Sequence, residues 1–144
     1  MSVIFLRHGE KPKKGVDLSK EGYERAYQLP KFFKDSNLPH PDLILAMKQA
    51  SDHSSNRPYE TVKYLASSLS LVINIEYTRD EIHKVIDYIK EHRNKNILIV
   101  WEHLVLTKII NKITGVDIKW HDDDYESVYI WLNGELIHKN FVTN

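Results

Sequence analysis

Short apolar runs alternate with amphipathic stretches along most of the chain. Residues 3–6 form a brief hydrophobic run that stops at Arg7-His8-Gly9, the pattern of a buried strand entering a loop. Residues 9–18 hold two Gly, one Pro and three Lys and predict a solvated loop. Ser19 is placed to cap a helix reaching about residue 34, with Tyr23, Ala26, Tyr27, Pro30 and Phe33 at roughly helical spacing on one face. Pro30 is expected to kink that helix or end it early. A second buried strand follows at 42–46, then a helix over about 57–69 capped by Ser54, Ser55 or Asn56, with Pro58 in its first turn. Residues 71–77 predict a third strand and 80–92 a helix with Ile82, Val85, Ile86 and Ile89 inward. Residues 96–101 predict a fourth strand, and 103–114 a helix closed by Gly115. The pattern then changes: 127–132 and 135–141 flank Asn133-Gly134, a strong hairpin signal.

Four βα units followed by a hairpin imply an α/β protein. Near-continuous apolar strands need cover on both sides, so the expected architecture is three layers, α/β/α, around a mostly parallel central sheet. With 144 residues, 42% of them hydrophobic and 28% charged, the chain suits one globular domain spanning 1–144. Twenty basic and twenty acidic side chains cancel, which removes the bulk positive field a nucleic-acid binder commonly uses, and no nucleic acid is expected as a partner. Cysteine is absent, so disulfides, thiolate catalysis and Cys-based zinc sites are excluded. No apolar run approaches the ~20 residues of a spanning helix, and the N-terminal run is too short for a signal peptide. The expectation is a soluble, cytosolic protein without a membrane partner. Its oligomeric state is left open.

Sheets of this kind bind ligands beyond the carboxyl ends of their strands. Arg7-His8-Gly9-Glu10 follows the first strand, Arg57 begins the helix after the second, and Glu102-His103 follow the fourth. Gly9 lets a ligand approach the backbone closely. A cation in the first turn opposes the helix dipole, so Arg57 makes sense there if it shares an anion with the free N–H groups of that turn. Two guanidinium forks and two imidazoles suit a phosphoryl group: Arg presents planar donors to phosphate oxygens, and an imidazole can act as nucleophile without a metal. Nothing in the spacing chooses between His8 and His103 for that role. His121-Asp122-Asp123-Asp124 has the residue types of a metal site, but consecutive residues rarely converge on one ion, and a solvated loop is expected; no metal or other cofactor is anticipated. His53, close to Arg57, is a further polar-loop residue that could touch substrate. Tyr125, Tyr129 and Trp131 alternate as strand-packing residues, and Trp101 either lines the pocket or fills the core.

These segments resemble, in order, those of the histidine phosphatase superfamily, the phosphoglycerate-mutase-like fold. Leu6-Arg7-His8-Gly9-Glu10 is similar to its signature; Leu18 to Ala26 is similar to the stretch opening its first helix. Residues 55–61 resemble its second phosphate-binding Arg segment, and Trp101-Glu102-His103 the segment with the second His. The resemblance implies that His8 is the nucleophile and that Arg7, His8, Arg57 and His103 bind phosphate. It also implies a carboxylic acid that protonates the leaving oxygen. One branch of the family carries that acid directly after the second His, where this chain has Leu104. Asp80 and Glu81, after the third strand, are the remaining leading candidates, followed by Glu10 and Glu102; Asp80 is equally explained as a helix cap. The implied activity is hydrolysis of a phosphomonoester on a small molecule or a phosphoprotein. Alternatives are a phosphohistidine protein phosphatase and a binding module that kept the pocket without efficient chemistry.

Overall fold

The computed structural model describes residues 2–15, 17–48 and 56–142. Its elements are β1 (Ser2–Arg7), α1 (Lys20–Asp35), β2 (Leu43–Ala46), α2 (Arg57–Leu69), β3 (Ile73–Asn74), α3 (Ile82–Glu91), β4 (Asn96–Trp101), α4 (His103–Thr114), β5 (Ser127–Leu132) and β6 (Glu135–Asn140). They form one six-stranded sheet in the order β3-β2-β4-β1-β5-β6. The first four of these strands are mutually parallel, and β5 and β6 continue the sheet as an antiparallel hairpin.

Alternation along the strands divides the core into two layers. Ile4, Leu6, Leu98 and Val100 face one side with Leu29 and Phe33 of α1 and Val62 and Leu65 of α2. Val3, Phe5, Ile97 and Ile99 face the other with Val85 and Ile89 of α3 and Val105, Leu106 and Ile109 of α4. The central strands β1 and β4 are buried on both faces, which accounts for their unbroken apolar runs. They run side by side in register, Arg7 opposite Trp101, so the residues after both strands leave the sheet at one edge.

Several local expectations are corrected. Pro30 lies inside α1 and does not end it; Leu29 and Phe33 are buried on either side of the proline and hold the helix to the sheet. Tyr27 is exposed, and the inward face of α1 is made by Ala26, Leu29 and Phe33. Ser19 caps α1 as expected, accepting from the Gly22 N–H at 3.1 Å. The third strand shrinks to Ile73–Asn74, which pair with Ile44 and Leu45 of β2 at the edge of the sheet. At α2 the capping position is Asn56, whose side chain makes no capping bond; Ser54, Ser55 and also His53 lie outside the described residues. Glu81, not Asp80, occupies the cap position of α3. Among the described residues no helix is long and apolar enough to cross a membrane.

Candidate active site

Arg7 is the last residue of β1 and continues the Val3/Phe5 side of the strand. Its side chain is 1% exposed. One terminal nitrogen, Nη1, donates to the carbonyls of Asp124 at 2.9 Å and His121 at 3.4 Å, and the guanidinium carbon lies 3.7 Å from the centre of the Tyr125 ring. These contacts fix the plane of the fork. Among the described residues Nε and Nη2 have no hydrogen-bond partner although both are buried. Buried donors left open are costly, so this pair forms a ready site for the oxygens of an anion. Burial pulls the Arg7 pKa down and the nearby acidic groups Tyr125, Asp122, Asp124 and Glu102 oppose it; an arginine so placed keeps its charge.

His8 follows at 5% exposure. Its backbone N–H donates to Trp101 O at 3.3 Å, tying the loop to the end of β4. Nδ1 lies 2.8 Å from Gly9 O. A carbonyl only accepts, so Nδ1 carries the proton and Nε2 keeps its lone pair. Burial, reinforced by the charges of Arg7, Arg57 and Lys11, pushes the imidazole pKa down to about 4 despite the Gly9 bond. At neutral pH His8 is therefore uncharged, the state a nucleophilic imidazole needs.

The loop after His8 is clamped from two sides. The Gly9 N–H donates to Thr61 Oγ1 at 2.8 Å, and that hydroxyl donates to Arg57 O at 2.7 Å. Thr61, one turn into α2, thus joins the Arg57 turn to the His8 loop. On the other side Gly9 and Glu10 pass directly over Gly22 of α1: a Cβ on Gly22 would stand 2.6 Å from Glu10 O, and one on Gly9 would stand 3.1 Å from the Gly22 backbone. Close packing of two backbone segments explains both glycines, where the sequence suggested ligand approach for Gly9.

Arg57 opens α2. Its Nε donates to Asp17 O at 2.9 Å and Nη2 to Gly15 O at 2.8 Å. His103 opens α4, is 6% exposed, and has a buried Nδ1 without a hydrogen-bond partner. Burial, then the Arg7 charge, lowers its pKa, with Glu102 and Asp122 opposing. Arg7, His8 and His103 therefore gather at the adjoining ends of β1 and β4, with Arg57 brought to them through Thr61 and its charge acting on His8.

The four acid candidates are each held by other groups. Glu10 makes a two-bond pair with Arg25 at 2.9 and 2.8 Å; burial pushes its carboxyl up, but Arg25 outweighs this and the net shift is downward. Asp80 is exposed and bonded to Arg79 Nη1 at 2.9 Å. Glu81 turns back to accept from the N–H and hydroxyl of Thr78 and pairs with Lys84, which together hold its pKa down at about 2. Glu102 caps α4 through the Leu104 and Val105 N–H groups and binds Arg79 at 2.6 Å. Burial raises the Glu102 carboxyl, and the Arg79 and helix N–H bonds more than reverse the shift. Its nearest oxygen is 3.7 Å from His103 Nδ1.

Two residues here carried no signal in the sequence. Tyr125 precedes β5 and is not one of its packing residues; its ring covers Arg7 and lies 6.4 Å from the His8 ring. Asp122 was grouped with a solvated acidic loop. Its Oδ1 stands 3.5 Å from His103 Nε2 and 4.0 Å from Arg7 Nη2. Trp101 is buried and donates through Nε1 to Arg79 O at 3.0 Å, so it fills the core.

No protein-family model matches the chain, and no curated protein sequence matches it significantly. Solved structures do. The protein histidine phosphatase SixA complexed with tungstate superposes with a TM-score of 0.72 at 12% identity, over 96% of this chain and 94% of that one. The α-ribazole phosphatase of Shigella flexneri gives 0.66 at 16% identity, over 100% and 96%. Phosphoglycerate mutase of Bacillus anthracis gives 0.63 at 14% identity, over 97% and 92%. The chain therefore has the fold of the histidine phosphatase superfamily, the phosphoglycerate-mutase-like α/β/α arrangement that its sequence resembles.

Proposed function

We propose that the protein is a phosphatase that hydrolyses a phosphomonoester through a phosphohistidine on His8, without a metal. The observation that carries this reading is a buried, neutral His8 whose Nε2 is free to attack, next to an Arg7 fork with two unpaired donors. In the first step Nε2 attacks phosphorus in line, an N–P bond forms and the P–O bond to the leaving group breaks. Arg7, Arg57 and His103 hold the three equatorial oxygens, where charge gathers in the transition state. Water then attacks phosphorus, releasing inorganic phosphate and restoring His8. The positive charge needed comes from side chains alone.

A phosphohistidine protein substrate is the second reading. It is favoured by the engagement of Glu10, Glu81 and Glu102 with Arg25, Lys84 and Arg79, since a phosphoamidate leaves more readily than an alkoxide. The SixA neighbour is a protein histidine phosphatase, which agrees with it. Relative rates on phosphoamidates and phosphomonoesters separate the two readings.

The test is His8→Ala together with trapping of the intermediate. Wild type quenched without acid during turnover of labelled substrate should carry an acid-labile phosphoryl group on His8. His8→Ala should fold and lose turnover. Retained turnover in the variant refutes the mechanism. Phosphate binding with neither turnover nor trapped label in wild type would identify a binding module.

A further inference from the structure

The leaving group departs from the side of phosphorus opposite His8. Arg7 and His8 are buried at the strand ends, and the turn His121–Asp124 packs against Arg7. Its Asp124 N–H donates to His121 O at 3.1 Å, and both of its end carbonyls accept from Arg7 Nη1. Asp124 itself locks the turn to β5, accepting from the N–H groups of Glu126 and Ser127 at 3.0 and 2.9 Å, and Trp120 donates to Asp124 O at 3.0 Å from the core beneath. The backbone carrying Asp122 is therefore fixed against the phosphate-binding arginine, while the Asp122 side chain is 85% exposed. Among the described residues it is the carboxylate within 4.0 Å of both Arg7 and His103.

We propose that Asp122 is the catalytic acid that protonates the leaving oxygen, and the base in the second step. The proposal rests on the phosphatase reading and completes it. The carboxylate faces the Arg7 guanidinium and the His103 imidazole. A phosphoryl dianion bound there would take over those two contacts. The protonated carboxyl then gives its proton to the leaving oxygen as the P–O bond breaks and the N–P bond forms. The resulting carboxylate removes a proton from the water that attacks phospho-His8, so the residue returns to its starting state. Asp122 stands in the loop between α4 and β5, away from the Asp80 and Glu81 positions that the sequence favoured.

The test is Asp122→Asn assayed as kcat/KM on two esters, a simple alkyl phosphate and 4-nitrophenyl phosphate. An alkoxide needs a proton to leave, while 4-nitrophenolate leaves unaided. The expected result is a fall of about 100-fold or more for the alkyl ester and a change of less than about 5-fold for the aryl ester. Since the side chain is exposed, thermal stability should be unaltered. Equal losses on both esters would assign Asp122 a general positioning role and overturn the proposal. A gain on both would make it a competitor for the empty pocket and overturn it too. A wild type inert on both esters and on phosphoamidates would overturn the phosphatase reading itself, a result distinguishable from either.

Discussion

The neutral state of His8 can be tested without knowing the substrate. Its imidazole titrates at about 4 in the folded protein and at about 6.5 in the unfolded chain. Between these values the unfolded chain binds a proton that the folded chain refuses. Stability therefore rises with pH through this window, and acidification costs the folded state free energy. At about 1.4 kcal/mol per pH unit, the loss from this one group is about 2 kcal/mol by pH 5 and about 3 kcal/mol by pH 4. His8→Asn removes the titration while offering an amide N–H near the position of Nδ1. Urea denaturation of wild type and variant at pH 7.5 and pH 5 isolates the effect, because other titrating groups, including His103, are present in both. Buffers must lack phosphate and sulfate, since a bound dianion favours the imidazolium. Wild type should lose about 2 kcal/mol more than the variant on going to pH 5. Parallel losses, or an NMR titration of His8 with a midpoint near 6.5, would refute the assigned burial and charge environment.

Two further substitutions probe the supports of the site. Arg7→Lys keeps one charge but loses the planar fork that reaches two carbonyls and leaves two donors open; kcat/KM should fall by about 100- to 1000-fold, with weaker inhibition by inorganic phosphate, and unchanged kinetics would contradict the role given to Nε and Nη2. Glu10→Gln strands the buried Arg25 guanidinium, whose remaining bond is to Phe141 O at 2.6 Å. Stability measured by urea titration should drop toward the lower end of the ~3–5 kcal/mol range for broken buried pairs, because Glu10 is partly exposed.

What was legible in the sequence follows from where burial is symmetric. β4 and α4 were predicted to the residue because β4 is covered on both faces, which produces an unbroken apolar run, and Gly115 marks the end of α4 by its left-handed backbone. The same logic placed Arg7, His8 and His103, since each follows directly where an apolar strand stops. The third strand failed for the opposite reason. Residues 71–77 have the composition of a strand, but at the edge of the sheet only Ile73 and Asn74 pair with β2, and composition does not encode where that pairing stops. Asp122 and Tyr125 were hidden more deeply. They lie on an irregular segment whose position is set by carbonyls reaching Arg7 across more than a hundred residues, and no periodicity encodes that. Thr61 ends the 55–61 segment of the resemblance; that its hydroxyl receives the Gly9 N–H depends on how α2 approaches β1.

The charge arrangement supports the proposed phosphate site in a chain of zero net charge. The two arginines of the site are oriented by carbonyl oxygens: Arg7 by His121 and Asp124, Arg57 by Gly15 and Asp17. At Arg7 the carbonyls aim the guanidinium by their dipoles without cancelling its charge. The carboxylates nearby are treated in the reverse way. Glu10 is neutralised by Arg25 and Glu102 by Arg79, so cations that do not face His8 cancel the anions that would otherwise weaken its surroundings. The result is a local excess of positive charge in a low-dielectric site, where it counts for more than a bulk charge spread over the surface. Asp122 departs from this scheme: it is exposed and faces Arg7 and His103. A carboxylate in that position opposes binding of the proposed phosphoryl dianion, a cost that the proposed proton transfer would offset. Electrostatics thus gives the same reason as geometry for assigning the proton transfer to Asp122.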